Sequence, residues 1–228
     1  IYTMMISAFF PRRYRALVMI GLYLFGILCG ILYAVILKVS RFKGEPVPFV
    51  MELPNYRLPS AKSVVHLIWE KAKGFIQKAF TIIFAASIVI WFLQTFDARF
   101  NVVSMPESSL LAALGSIFAP LFAPLGFADW RVSTALITGF TAKESVVSTL
   151  TLLLGGEVSS IGTLFTPFTA VVFLVFVLLY TPCVAAIATV KREMGSTRAA
   201  ITTALTQCVI AWLIAFAVRC VGLAFGLA

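Results

Sequence analysis

The sequence is poor in charged side chains. Of its 228 residues only 12% are Asp, Glu, Lys or Arg, there is one histidine, and the only aspartates are Asp97 and Asp129. Apolar residues make up 61%, whereas a soluble domain has roughly 45–50%. The sequence also lacks the GxxxxGK[ST], HExxH and GxSxG motifs. These scarcities exclude a soluble globular domain and the common hydrolase classes. Since neither aspartate lies well inside an apolar run, an intramembrane aspartyl protease is not expected.

Four long runs contain no charged residue at all: 16–37, 79–96, 158–190 and 199–218. Each approaches or exceeds the ~20 residues that a helix needs to cross ~30 Å of hydrocarbon. The runs lack the in–out alternation of a membrane β-barrel. We therefore predict an all-α fold, a polytopic transmembrane helical bundle.

The net charge of +9 comes from Lys and Arg residues that lie in short segments beside these runs. This is the pattern of cytoplasmic membrane loops, so nucleic acid is not an expected partner. The four cysteines, Cys29, Cys183, Cys208 and Cys220, lie in apolar runs without a CxxC spacing, which predicts free thiols rather than a disulfide framework or a zinc site. No signal peptide is visible, and the first ten residues resemble the tail of a span, so we expect further sequence upstream.

Residues 38–78 are predicted to be a cytoplasmic strap followed by an amphipathic helix. Pro54 and Pro59 favour an extended strap. Polar residues then recur every three or four positions opposite an apolar side, which is typical of a basic helix in the membrane interface: Lys62, His66, Glu70, Lys73 and Gln77. This helix should continue into the run 79–96, and His66 on its polar side is expected to be solvated.

The stretch 108–128 is apolar but is broken by Pro120, Pro124 and Gly126. Proline removes a helical hydrogen bond, so a straight spanning helix is not expected here. The sequence leaves open whether this stretch is a kinked span or a re-entrant hairpin.

A second polar feature is the apolar stretch 132–156, which carries Lys143 and Glu144 in its middle. Charged residues at membrane depth are costly and usually face a cavity or a partner. On a continuous helix one face would hold Glu144 and a set of hydroxyls, with Lys143 outside it: Ser133, Thr134, Thr138, Thr141, Ser145, Ser148, Thr149 and Thr151. Such a face suits a divalent cation or water, and it equally suits hydrogen bonding between helices.

The third feature is a proline break inside the last part of the run 158–190. Pro182 cannot donate to the carbonyl of Leu178, so carbonyl groups are freed at membrane depth, where transporters build ion sites. Cys183 follows directly and offers a thiolate, which suits Fe²⁺ better than Na⁺, Mg²⁺ or Ca²⁺. A structural kink with an inert cysteine is the alternative. Cys208 and Cys220 are expected to be inert packing residues.

An ordered set of segments resembles the membrane domain of the bacterial ferrous iron transport protein B family, FeoB, over nearly the whole chain. The segments are 51–59 (MELPNYRLP), 90–91 (IW), 124–127 (PLGF), 129–131 (DWR), 139–144 (GFTAKE), 182–186 (PCVAA) and Glu193. The resemblance implies that residues 1–228 are the C-terminal portion of a permease domain with broken or re-entrant helices. In a protein of this family, the G domain and the first Gate motif would precede the part of the sequence that corresponds to residues 1–228.

The resemblance also implies a function and a set of site residues. Residues 166–193 would form the second Gate motif helix, with Cys183 as the metal contact and Pro182, Thr141 and Ser148 in support. Glu144 and Glu52 become further transport-path candidates.

Fe²⁺ would be the substrate, carried across the bacterial inner membrane by a multi-pass protein. No enzyme activity and no cofactor are expected in this chain, while GTP and Mg²⁺ would serve the G domain. The implied partners are the bilayer, that G domain, small cytoplasmic accessory proteins and other copies of the chain. A Gate-type transporter of another solute, such as a nucleoside, and a membrane scaffold that transports nothing stay open as alternatives.

Overall fold

The fold is helical throughout the part of the chain that a computed structural model describes, residues 1–40, 59–155, 158–180 and 183–226. Its α-helices are α1 (Tyr2–Phe9), α2 (Arg12–Ser40), α3 (Ala61–Thr95), α4 (Leu110–Phe118), α5 (Trp130–Gly139), α6 (Ser145–Leu153), α7 (Pro167–Leu179), α8 (Val184–Met194) and α9 (Thr197–Ala224). Three 3₁₀ segments lie between them, at Pro106–Ser108, Ala119–Leu125 and Val158–Thr163. The prediction of an all-α membrane fold is confirmed.

Among the described residues, three segments are long and apolar enough to cross a bilayer. They are α2, the segment Pro167–Met194 that contains α7 and α8, and α9. α2 is almost wholly exposed along its length, with large apolar side chains such as Ile20, Leu24 and Ile31 on its surface. Exposed apolar faces on a spanning helix are what lipid chains cover, because hydrocarbon solvates them as well as a protein core does.

α3 joins the predicted amphipathic segment and the predicted span into one helix of 35 residues. It begins at Ser60, whose hydroxyl accepts the backbone N–H of Ser63 at 3.3 Å, an N-cap that satisfies one of the free donors of the first turn. The expected continuation of the helix into the run 79–96 is therefore confirmed, and its place in the interface stays a prediction. The strap, including Glu52, lies outside the described residues.

The stretch 108–128 is not a straight span. α4 has 9 residues and is followed by the 3₁₀ segment Ala119–Leu125, which ends at Gly126 with a φ of +92°. Between Leu110–Leu125 and Trp130–Gly139 the chain bends by 103°. At 1.5 Å per residue α4 extends only about 14 Å, too short to cross the hydrocarbon alone. α4 instead packs against α5.

The core lies around α7, where six consecutive side chains from Val172 to Val177 are buried. A helix that is apolar on all sides is expected at the centre of a bundle. Aromatic rings pack against it from the bend region: Phe127 meets Phe173 edge to face at 5.4 Å between centroids, and Phe122 meets Phe176 in the same way at 5.4 Å. These contacts attach the short, irregular segments to the buried middle of α7.

α7 also packs along α9, and Gly222 of α9 lies against the ring of Phe168 of α7. A Cβ atom at Gly222 would overlap the ring of Phe168 on α7. The absence of a side chain at this position therefore sets the separation of the two helices.

Replacement of Gly222 by Ala should destabilise the folded protein by about 1–3 kcal/mol, the usual cost of forcing extra volume into a packed core. The measurement is thermal or denaturant unfolding of the full-length protein in detergent. Gly30→Ala is the matched control, because a Cβ there meets nothing within 4 Å. Equal stability of the two variants would contradict the close α7–α9 packing.

Candidate functional site

The first part of the site is a helix break at residues 140–144, between α5 and α6. Here the expectation of one continuous helix over 132–156 is wrong. α5 ends at Gly139, and tight three-residue turns carry the chain to Ser145, with the N–H of Thr141 donating to the carbonyl of Thr138 at 3.0 Å. The physical reason is tertiary packing. A Cβ at Gly139 would clash with Val146 and would lie 2.5 Å from the hydroxyl of Tyr180, so α6 and α7 close directly onto the end of α5.

The second part is the interruption between α7 and α8. α7 ends at Leu179, Tyr180 has an extended backbone, and α8 begins at Val184 with Cys183 as its N-cap residue. The predicted break of this run is confirmed. Thr181 and Pro182 themselves lie outside the described residues.

The two breaks meet. The backbone N–H of Val184, at the start of α8, donates to the carbonyl of Phe140 in the first break at 2.9 Å. Lys143 then reaches across to α7, where its Nζ donates to the carbonyls of Val177 and Tyr180 at 3.2 Å each. The same ammonium lies 4.8 Å from the centroid of the Tyr180 ring, within the range of a cation–π contact. We call this region, residues 140–144 with 177–180 and 183–184, the junction.

A cavity of about 480 Å³ lies beside the junction. Its wall is mixed, with apolar side chains such as Trp91 and Leu111 as well as hydroxyls, and we call it the polar cavity because of the hydroxyls. Hydroxyls from α5, the break and α6 line it: Thr134, Thr138, Thr141, Ser145, Ser148 and Thr149. These are six of the eight hydroxyl residues predicted to share a face. Ser133 and Thr151 are not among its lining residues in the described part of the chain, and Ser133 faces a second cavity instead.

The hydroxyls share the cavity because α5 and α6 pack against each other rather than continuing in line. Thr138 and Thr149, one from each helix, share a hydrogen bond of 2.9 Å between their hydroxyl oxygens. The Thr141 hydroxyl donates to the carbonyl of Thr138 at 2.7 Å. Hydroxyl oxygens are hard donors that suit water and partly hydrated cations.

The second cavity, of about 1120 Å³, is lined almost wholly by apolar side chains of α3, α5, α7, α8 and α9. Thr141 contributes to the walls of both cavities, as does Ile90 of α3. The break at 140–144 therefore forms part of the partition between a polar and an apolar space.

The predicted site residues fall into separate groups. Cys183 is half-buried at the junction, and Thr141 and Ser148 line the polar cavity. Glu144 is exposed at the N-cap position of α6, makes no side-chain capping bond, and is absent from the described lining of both cavities. Glu52 and Pro182 lie outside the described residues. Within the described ranges no three His, Cys, Asp or Glu residues cluster to hold a metal ion.

Sequence reasoning did not assign Lys143, Tyr180 and Cys208 to this site. The sequence placed Lys143 only outside the hydroxyl face, whereas the structure places its ammonium on the backbone carbonyls of Val177 and Tyr180. The one usable signal was the cost of a lysine at membrane depth. Cys208 of α9 lines the second cavity together with Thr141 and Tyr180 of the junction, a proximity that no spacing in the sequence indicates.

Two models of known protein families match this chain. A family model described as "Nucleoside recognition" matches residues 76–197, and one described as "Ferrous iron transport protein B C terminus" matches residues 19–71. No solved structure matches the chain.

Three curated relatives carry iron-transport names. The Fe(2+) transporter FeoB of Staphylococcus aureus strain COL is 38% identical over 86% of this chain and 30% of its own length. The FeoB of Campylobacter jejuni is 34% identical over 95% of this chain and 38% of its own length. The Fe(2+) transport protein A/FeoB fusion protein of Porphyromonas gingivalis is 32% identical over 99% of this chain and 33% of its own length. The chain thus spans about a third of the length of the relatives it matches.

The Thr138–Thr149 hydrogen bond predicts energetic coupling between α5 and α6. In a double-mutant cycle with Thr138→Val and Thr149→Val, unfolding of the full-length protein in detergent should give a coupling free energy of about 0.6 kcal/mol, the average for such bonds in membrane proteins. The control pair is Thr138 with Thr151, because the Thr151 hydroxyl bonds the carbonyl of Val147 in its own helix. Zero coupling for Thr138–Thr149 would contradict the packing of the two helices around the cavity.

Proposed function

The chain belongs to the ferrous iron transport protein B family, as the C-terminal part of its membrane domain, and we propose that it forms part of the path by which Fe²⁺ crosses the bacterial inner membrane. The observation that carries the proposal is the junction, where Cys183 and two backbone carbonyls of a broken helix, bonded by the Lys143 side chain, lie next to a cavity with hydroxyls in its wall.

The chemistry of these groups supports passage of a divalent transition metal. A cation leaving water needs replacement ligands, and interrupted membrane helices supply them as carbonyl oxygens that no helical N–H uses. A cysteine sulfur adds a soft ligand, which favours Fe²⁺ over Na⁺, Mg²⁺ and Ca²⁺. In the proposed order the hydroxyl-lined cavity holds the hydrated ion, and Cys183 contacts the ion after it has lost part of its water.

Glu144 and Glu52 are proposed in secondary roles along the same path. The Glu144 carboxylate is exposed and forms no ion pair with any residue that the structure describes. An unpaired carboxylate one residue from Lys143 would attract cations toward the junction. Glu52 lies in the strap and is proposed as a contact on the cytoplasmic side.

The remaining parts of the system are proposed from the family. GTP, with Mg²⁺, would bind the G domain and drive opening of the path, so no catalytic step is assigned to residues 1–228. The Porphyromonas gingivalis relative carries transport protein A in the same chain, which supports a small accessory protein as a partner. Assembly of several copies would complete the path together with the first Gate motif.

Transport of another solute, such as a nucleoside, is not favoured. Although the matched family model is described as "Nucleoside recognition", the relatives that cover most of the chain are named Fe(2+) transporters. The junction also offers a thiol and carbonyls rather than the paired donors and acceptors that would read a nucleobase.

Replacement of Cys183 by Ser in the full-length protein should lower the initial rate of Fe²⁺ uptake about tenfold, because a hydroxyl replaces the soft ligand and a tenfold effect corresponds to about 1.4 kcal/mol. Glu144→Gln should lower the rate less. Uptake is measured anaerobically in proteoliposomes, or in iron-starved cells.

Cys220→Ser is the matched control, since this thiol is exposed on α9 and lines neither cavity. If Cys183→Ser and Glu144→Gln both transport at the wild-type rate while a G-domain mutant does not, the path does not run through the junction. If the protein instead takes up another solute, such as a nucleoside, without needing Fe²⁺ and without inhibition by thiol blockers, that solute is the substrate.

A further inference from the structure

Among the residues that the structure describes, Lys143 has no anionic partner. The ion pairs there are Arg131–Glu107 and Arg192–Glu193, and Lys143 belongs to neither. The contacts that the structure gives its ammonium are with neutral groups, the carbonyls of Val177 and Tyr180 and the face of the Tyr180 ring. A lysine at membrane depth is costly, so a position that keeps one usually has a function.

These neutral groups make up a cation site. Two carbonyl oxygens converge on one point from the end of α7, and an aromatic face lies beneath it. Carbonyl oxygens and π faces are the groups with which proteins bind partly dehydrated cations. Cys183 lies in the same junction as the N-cap residue of α8, and Cys208 lines the apolar cavity that Tyr180 also lines.

Capping of free carbonyls alone does not require a charge in this fold. The indole Nε1 of Trp212 donates to the carbonyl of Leu121 at 2.9 Å and so satisfies a comparable group in the 3₁₀ segment. A neutral donor is sufficient there. Arg219 also donates to a carbonyl, that of Ala123, at 2.9 Å, but that bond is exposed, whereas both bonds of Lys143 are partly buried. A partly buried charge at a position where a neutral donor would satisfy the carbonyls calls for a separate explanation.

We propose that the Lys143 ammonium is a tethered cation, which fills the cation site of the junction at rest and must leave before Fe²⁺ can occupy it. The proposal rests on the proposed function of the junction as part of a cation path. An ammonium and a divalent ion on the same carbonyls repel each other strongly, since little water lies between them. Occupancy by Lys143 and by Fe²⁺ is thus mutually exclusive.

This exclusion gives the path a built-in gate. With Lys143 in place, the site is filled without letting any solute ion pass, so the path does not leak when the G domain is idle. The long, flexible lysine stem can move the charge without moving the helices. The break at 140–144 adds to this freedom, because Lys143 does not lie within a continuous helix.

The test compares three substitutions in the full-length protein, reconstituted in proteoliposomes with a metal-sensitive dye inside. Lys143→Met removes the charge and nearly keeps the shape, Lys143→Gln removes the charge and keeps N–H donors, and Lys143→Arg keeps the charge. Fe²⁺ entry is measured anaerobically with GTP and without it.

The tethered cation predicts that Lys143→Met and Lys143→Gln raise nucleotide-independent Fe²⁺ entry at least about tenfold, since removal of a competing charge should change occupancy by at least that much. Lys143→Arg should keep the low leak of the wild type. Equilibrium binding of Fe²⁺ to the purified protein should tighten about tenfold in the two neutral variants, and Cys183→Ser should reverse this gain.

Other outcomes overturn the proposal. If Lys143→Gln folds, as judged by size-exclusion chromatography and thermal unfolding, and shows wild-type leak and affinity, Lys143 is only a cap for carbonyls. If Lys143→Met does not fold, the comparison of Lys143→Gln with Lys143→Arg decides. If Lys143→Met and Lys143→Gln show normal GTP-dependent uptake and no leak, and Cys183→Ser impairs uptake, the tethered cation is rejected and the path through the junction is kept. Wild-type uptake in Cys183→Ser rejects the path through the junction itself.

Discussion

Backbone carbonyls freed at helix breaks are the constraint on which this fold depends. In hydrocarbon no water satisfies such groups, so donors must come from side chains elsewhere in the bundle. Within the described residues, the donors that reach such carbonyls from a distant part of the chain include Lys143 on the carbonyls of Val177 and Tyr180, Trp212 on that of Leu121, and Arg219 on that of Ala123. Each donor lies far from its acceptor in sequence, so each bond also joins two helical segments.

The two donors on α9 hold the irregular segment that follows α4. Arg219 donates to the carbonyl of Ala123 at 2.9 Å, and its guanidinium lies against Gly126, where a Cβ would come within 2.9 Å of it. Gly126 has a φ of +92°, a conformation that glycine adopts without strain. One glycine thus permits both the turn that ends the 3₁₀ segment and the approach of the side chain that caps it.

Sequence reasoning succeeded where the cause was local and failed where it was tertiary. Pro182 predicts a helix break because proline cannot continue a helical hydrogen-bond ladder, and α7 does end before it, at Leu179. The break at 140–144 has no proline, and it forms where Gly139 lets Val146 and Tyr180 close onto α5. Most of the hydroxyl face was still predicted correctly, because α5 and α6 pack side by side and keep Thr138 and Thr149 toward one cavity. The partner of Lys143 was not predictable, since it is backbone and carries no residue signature.

The position of Thr141 links the polar cavity to the junction. Thr141 borders both cavities, and Lys143 follows it two residues later in the same break. An ion moving from the hydroxyls toward Cys183 would therefore pass the break rather than a continuous helix. A continuous helix cannot reorient one residue without losing bonds in its ladder. In the backbone, residues 140–144 are held by short turns and by the bond from Val184 to Phe140. Rearrangement at this point therefore costs few backbone hydrogen bonds. The break places the charge of Lys143, the hydroxyl of Thr141 and the start of α8 on one short segment, so a movement there would alter all three together.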